Sequence, residues 1–128
     1  MTTKTIAIYT RVSSKTPAAI KSIDNQVSEC LAVAKKKYGD DIHVRIYKEQ
    51  GVGGETRQKP ALRSLQYDVE SKAIAAVIVS SPNRIDRSAT RALEAIHWFQ
   101  EKYVDFVVAE DERHYMWDDA RTDLKRLF

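Results

Sequence analysis

The sequence predicts an α/β domain of three layers, a central and mostly parallel sheet of four to five strands flanked by helices. Three observations predict it. Short apolar runs rich in isoleucine and valine alternate with longer segments whose apolar residues recur at helical spacing. The order strand, helix, strand, helix continues along the chain, the pattern of a parallel sheet with right-handed crossovers. Finally, 128 residues with 43% hydrophobic and 30% charged side chains can bury a real core and are too apolar for a disordered chain. One domain over residues 1–128 is expected.

The elements follow in order. Thr5 to Thr10 is a continuous apolar run, as in a strand covered on both faces. "SKTPAAIKS", residues 14–22, reads as a small polar loop with Ser22 as N-cap of the first helix. Ile23, Val27, Cys30, Leu31, Ala34 and Tyr38 form the stripe of that helix. Asp24 in its first turn and Lys35, Lys36 and Lys37 in its last complement the dipole, and Gly39 supplies the stop. Ile42, Val44 and Ile46 then alternate with His43, Arg45 and Tyr47, so the second strand is expected at an edge, with one wetter face.

"KEQGVGGETRQK", residues 48–59, holds three of the four glycines, and a loop this long and glycine-rich tends to be functional. Pro60 suits the first turn of a second helix that turns Leu62, Leu65 and Val69 inward. "IAAVIVS", residues 74–80, is the third strand, and "SPNRIDRS" follows it. Ser88 caps a third helix with Ala89, Leu93, Ile96 and Tyr103 on one face, and "VDFVVAE", residues 104–110, is the fourth strand.

Charge narrows the function little. A formal net charge of +3 and a pI near 9.0 suit a polyanionic partner, as they suit many proteins that never touch nucleic acid. One cysteine excludes an internal disulfide, and no apolar run reads as a signal peptide or membrane span, so a cytoplasmic location is expected.

In parallel sheets functional groups gather beyond the C-terminal strand ends. Three clusters fall there: Arg11, Ser13 and Ser14; Glu49 to Lys59; and Asn83, Arg84, Asp86 and Arg87. If the extended conformation persists past Thr10, Arg11 and Ser13 point to one side. Several guanidinium groups around a serine suit phosphoryl transfer, because arginine forks match phosphate oxygens, and Ser13 becomes a nucleophile candidate. A Ser-His-Asp arrangement has no such support, since no motif joins His43, His97 or His114 to the serine.

Each residue also has a plainer reading. Ser13 and Ser14 can cap local backbone, and single arginines at these places can form surface ion pairs. "GVGGETRQK" lacks the Gly-Lys-Ser/Thr ending of a nucleotide-binding loop. Cys30 lies on an apolar stripe and reads as core. Tyr9 reads as a buried strand residue. His114, within "EDERHYMWDD", reads as part of a solvated acidic loop without metal-ligand spacing.

"IYTRVSS", "SIDNQ", "YKEQGVGGETRQKPALRSL" and "VIVSSPNRIDRS" together resemble, in order and spacing, the catalytic domain of serine site-specific recombinases, the resolvase/invertase superfamily that includes phage integrases and transposon recombinases. The likeness covers nearly the whole chain. It implies a resolvase-like fold and DNA recombination in which Ser13 attacks a DNA phosphodiester, leaving a 5'-phosphoseryl link and a free 3'-hydroxyl. It implies no metal, nucleotide or other small-molecule cofactor, and as partners DNA and either a second copy or a related recombinase subunit, with no membrane. By matching position, Arg11, Arg84 and Arg87 would grip the phosphate, supported by Gln26, Lys59, Glu49 and Asn83.

Several positions depart from the family pattern. Glu49 and Asn83 stand where aspartates are common, Gly53 where a serine is, Lys59 where an arginine is, and Asp68 where a lysine often is. In the family a long dimerisation helix follows this domain, and "ARTDLKRLF", residues 120–128, falls where it would start. A weak dimer or monomer with poor DNA affinity is therefore expected of this chain. The same departures motivate a second expectation, a domain of weak or lost catalysis acting as partner or regulator of an active recombinase. A third is an unrelated nucleotide- or phosphate-binding α/β domain.

Overall fold

The computed structural model describes residues 3–52, 58–71 and 73–110, together with the backbone of 113–115. Gly53 and the rest of 53–57, and the expected helix start at 120–128, lie outside these. The elements are β1 (Lys4–Val12), α1 (Pro17–Tyr38), β2 (Ile42–Gln50), α2 (Pro60–Ser71), β3 (Ala76–Val79), a 3₁₀ turn (Pro82–Arg84), α3 (Ala89–Glu101), β4 (Asp105–Val108) and β5 (Arg113–Tyr115).

The sheet runs in the order β2-β1-β3-β4-β5. β1 to β4 are mutually parallel, and β5 pairs antiparallel with β4. This is the expected α/β architecture. His114 therefore lies on a strand, which corrects the loop reading of its segment.

Parallel strands need both faces covered, and two clusters do this. On one face Ile6, Ile8, Ala76, Ile78 and Val107 meet Cys30, Val33 and Ala34 of α1. On the other, Ala7, Tyr9, Val77, Val79, Phe106 and Val108 meet Leu65 of α2 and Ala92, Ile96 and Phe99 of α3. Ile6, Ile8, Ile78, Phe99 and Phe106 are fully buried, each worth about 1.5–3 kcal/mol of apolar burial. β1 is paired on both sides, with β2 and with β3, so its end is fixed in position.

Three local expectations need correction. α1 starts at Pro17, not after Ser22: the Thr16 hydroxyl accepts from the Ala19 N–H, and proline occupies the first turn, where its missing N–H costs nothing. The segment read as loop is thus the first turn and a half of the helix, and Asp24 lies beyond its first turn. The lysines and Gly39 end the helix as expected, with the Gly39 N–H on the Lys35 carbonyl.

β2 is an edge strand, but its wet and dry sides are not cleanly divided. Ile42 and Val44 pack against the α1 cluster. Ile46 is 44% exposed, while Tyr47 and Glu49 are buried. The start of α2 lies over those two residues and is hydrogen-bonded to Glu49. In α3 the buried stripe is Ala92, Ile96, Phe99 and Gln100, with Ala89 exposed. The helix stops at Glu101, and Tyr103, at φ 60°, turns outward and is 76% exposed.

Replacing Thr16 by alanine is expected to cost about 1 kcal/mol of unfolding free energy, because an N-cap acceptor is lost. Denaturant unfolding of Thr16→Ala checks it, and an unchanged midpoint would refute the early start of α1.

Candidate active site at the strand ends

β1 leaves the sheet between β2 and β3, and Ser13 is its first residue beyond the strand, exposed to solvent. The extended conformation ends at Val12, so strand alternation does not extend to Ser13. The side chains of Arg11 and Ser13 differ accordingly: Arg11 is 4% exposed. The Ser14 hydroxyl is 3.2 Å from that of Thr16, within the turn that opens α1.

The Arg11 guanidinium is built into the fold. Its Nε donates to the Arg84 carbonyl at 3.0 Å, Nη2 to the Asn83 carbonyl at 2.8 Å and Nη1 to the Val52 carbonyl at 3.3 Å. Arg84 reciprocates, donating from Nη1 to the Arg11 carbonyl at 3.2 Å. One guanidinium thus ties the ends of β1 and β2 to the 3₁₀ turn after β3. Burial lowers the pKa of Arg11; the interaction with Tyr9 opposes this, and the nearby charges of Arg84 and Arg87 lower it further. Arg84 is half-buried with its Nε enclosed and unpartnered among the described residues, and Arg87 is exposed.

Gln26, on α1, is buried against the same strand end. Its Oε1 accepts from the Arg11 N–H and its Nε2 donates to the Arg11 carbonyl, both at 3.2 Å. The amide therefore behaves as one more strand residue, satisfying the backbone where β1 turns away.

Two buried carboxylates hold the helices around this centre. Glu49 accepts from the Tyr9 hydroxyl at 2.9 Å, from the Ala61 N–H at 2.9 Å and from the Leu62 N–H at 3.1 Å. It caps α2 from a neighbouring strand, placing negative charge at a helix N-terminus. Burial, followed by the Glu49 charge and hydrogen bond, drives the Tyr9 phenol well above its ordinary pKa, in keeping with a structural residue.

Asp86 is the second. It accepts from Lys59 Nζ at 2.9 Å, from Arg91 Nε at 3.0 Å and Nη2 at 3.1 Å, and from the Ser88 N–H at 2.8 Å. Burial would raise its pKa, but the hydrogen bonds from Arg91, Lys59 and Ser88 outweigh that and hold it below the ordinary range. Lys59 is itself 5% exposed.

The structure thus brings Arg11, Arg84, Gln26 and Asn83 into one hydrogen-bonded group, with Asn83 contributing its carbonyl. Its side-chain Oδ1 accepts from the Ser81 hydroxyl at 2.6 Å. Glu49 and Lys59 stand behind this group, at the start of α2. Sequence reasoning gave no role to Asp86, because nothing in the spacing of "NRIDR" tells which cation the aspartate faces. Cys30 is fully buried and its thiol is pushed up to about 12 by that burial, as its core reading requires. Asp68 accepts from the Tyr47 hydroxyl at 2.6 Å and pairs with Arg45 at 3.4 Å, lining a surface cleft between β2 and α2. No helix among the described residues is long and apolar enough to cross a membrane.

The chain is similar in sequence and fold to known proteins. Residues 6–128 match the family "Resolvase, N terminal domain". A Bacillus subtilis (strain 168) protein named "Putative DNA recombinase" is 38% identical over 90 residues, 69% of this chain but 17% of the relative's length. The N-terminal catalytic domain of TP901-1 integrase superposes with a TM-score of 0.82 at 28% identity, over 97% of this chain and 91% of that one. A resolvase family site-specific recombinase from Streptococcus pneumoniae shares the fold with a TM-score of 0.76 at 21% identity, over 97% and 83%.

The lowered pKa of Asp86 predicts an acid limb in stability. A carboxylate depressed on folding contributes stability that is present above its unfolded value of about 4 and is lost as pH falls through its folded value. The gap in unfolding free energy between the wild type and Asp86→Asn is therefore expected to shrink from neutral pH to about pH 3. Urea titrations at the two pH values check this; a constant gap would contradict the assignment.

Proposed function

This chain belongs to the family of resolvase N-terminal domains, and on that premise we propose that it is the catalytic domain of a serine recombinase acting on DNA. The observation that carries the reading is the placement of exposed Ser13 at the end of a central parallel strand, two residues from an Arg11 whose carbonyl receives the Arg84 guanidinium. In the reaction Ser13 Oγ attacks phosphorus and loses its proton. A new O–P bond forms, the P–O3' bond breaks, and the 3'-oxygen leaves as a hydroxyl after taking up a proton. The 5'-phosphoseryl link keeps the bond energy, so attack by a 3'-hydroxyl reverses the step and rejoins a strand.

Arg84 and Arg87 are the phosphate-facing cations of this mechanism. Arg11 contributes mainly by position, since its donors hold three carbonyls while its charge stays beside the site. Gln26 keeps the strand end in register, Glu49 fixes the start of α2, and the Asn83 carbonyl anchors Arg11.

A second reading rests on two observations: Asn83 offers an amide held by Ser81 where a carboxyl is common in the family, and Lys59 is sequestered by Asp86. Under it the domain partners or regulates an active recombinase. Mixing with such an enzyme would then change its assembly or its recombination rate.

Ser13→Ala is expected to abolish the covalent adduct with a nicked or suicide DNA substrate, while Ser14→Ala retains it. Denaturing gel electrophoresis reads the adduct, and an adduct from folded Ser13→Ala would eliminate Ser13 as nucleophile. If the wild type forms none but alters an active recombinase on mixing, the regulatory reading replaces the catalytic one.

A further inference from the structure

The donors around Asp86 are the set that would bind a phosphate. They comprise a lysine ammonium, Lys59 Nζ at 2.9 Å; an arginine fork, Arg91 Nε and Nη2 at 3.0 and 3.1 Å; and a backbone N–H at the start of α3, Ser88 at 2.8 Å. Such a combination recognises tetrahedral oxyanions through charge and fixed geometry. Here a side chain already fills it. The occupant is buried, at 6% exposure, and the lysine that it holds is equally so.

We propose that Asp86 is a resident counter-anion that withholds Lys59 and Arg91 from the DNA phosphate. It therefore acts as a positioning residue and leaves phosphate recognition to Arg84 and Arg87. This inference rests on the reading of the strand-end cluster as a DNA-phosphate site.

The charges support the division. Asp86 neutralises one of its two cationic partners, and both are already oriented toward it by short hydrogen bonds. Breaking Lys59 away would take a buried ammonium from its carboxylate while Asp86 kept Arg91 and Ser88, a large penalty for the lysine compared with exchanging water at an exposed arginine. Lys59 is also joined to α2 through its own carbonyl, which accepts from the Arg63 N–H at 2.9 Å. Its ion pair with Asp86 thus fixes where α2 begins relative to the turn that carries Arg84 and Arg87. The lysine departs from the family's arginine, and it shares its aspartate with Arg91.

Counting released counterions tests this directly. The logarithm of DNA affinity falls with the logarithm of salt concentration, with a slope of about 0.9 per phosphate contact on duplex DNA. The full chain is titrated with a short DNA duplex at several low salt concentrations. Lys59→Gln is expected to leave the slope of the wild type unchanged, whereas Arg87→Gln lowers it by about 0.9. In an Asp86→Asn background the ammonium is released, and adding Lys59→Gln then lowers the slope by the same amount.

A loss of about one contact on Lys59→Gln in the wild-type background would overturn the proposal, as would a slope in the Asp86→Asn protein that ignores Lys59. If neither Lys59→Gln nor Arg87→Gln changes the slope, the strand-end cluster does not bind DNA, and the underlying reading fails rather than this one alone. Asparagine keeps the size of Asp86 and one acceptor oxygen; should Asp86→Asn nevertheless unfold, as circular dichroism would show, the Lys59→Gln slope in the wild-type background decides.

Discussion

The reciprocal bond between Arg11 and Arg84 is the constraint on which the site depends. Each guanidinium donates to the other residue's backbone carbonyl, and Arg11 reaches two further carbonyls, of Asn83 and Val52. Three chain segments that leave the sheet at different strands are thereby closed onto one cation. Buried carbonyls must find donors, and a planar group with five N–H donors can serve several at once. The arrangement sets the location of the 3₁₀ turn, and through it the places of Arg84 and Arg87. Without it, Ser13 would sit at the end of a rigid strand with nothing fixed around it.

The two carboxylates do for the helices what Arg11 does for the loops. Glu49 caps α2 from β2 and is held by Tyr9 of β1, so the helix start is registered against two neighbouring strands. Asp86 joins the residue before α2 to the first turns of α3. Each is buried and fully hydrogen-bonded, the condition under which buried charge is tolerated. Positive charge at the strand ends is thus partly internal structure and partly exposed, and net composition alone cannot separate the two shares.

Family membership and fold agree with the order of motifs along the chain, while the roles of individual residues are matters of geometry. Arg11, Arg84 and Arg87 look equivalent in sequence and are not so in space. The first is buried and committed to carbonyls, the second is half-buried, and the third faces solvent. Lys59, expected to support the phosphate site, is hydrogen-bonded to Asp86. Glu49, which differs from the family's aspartate by one methylene, spans the distance to both Tyr9 and the start of α2.

The sequence by itself determined the alternation of strands and helices, the edge position of β2, the lysine and glycine stop of α1, the Ser88 cap and the burial of Cys30 and Tyr9. These follow from local periodicity, capping chemistry and apolar runs, which act over a few residues. It also placed Arg11, Ser13, Arg84 and Arg87 at strand ends, because parallel topology brings those ends together. Only the tertiary structure decided where α1 begins: it starts at Pro17, capped by Thr16 and with Ala19 buried beside Val12 and Ile23, and not at Ser22 as local capping chemistry suggests. It alone decided the rotation of α3, whose buried stripe is set by contact with β4 and the 3₁₀ turn. The partners of Asp86, Glu49 and Arg11 were likewise settled only in three dimensions. They lie between 2 and 73 residues away in sequence, and the choice among several nearby opposite charges depends on distance and burial that no local pattern encodes.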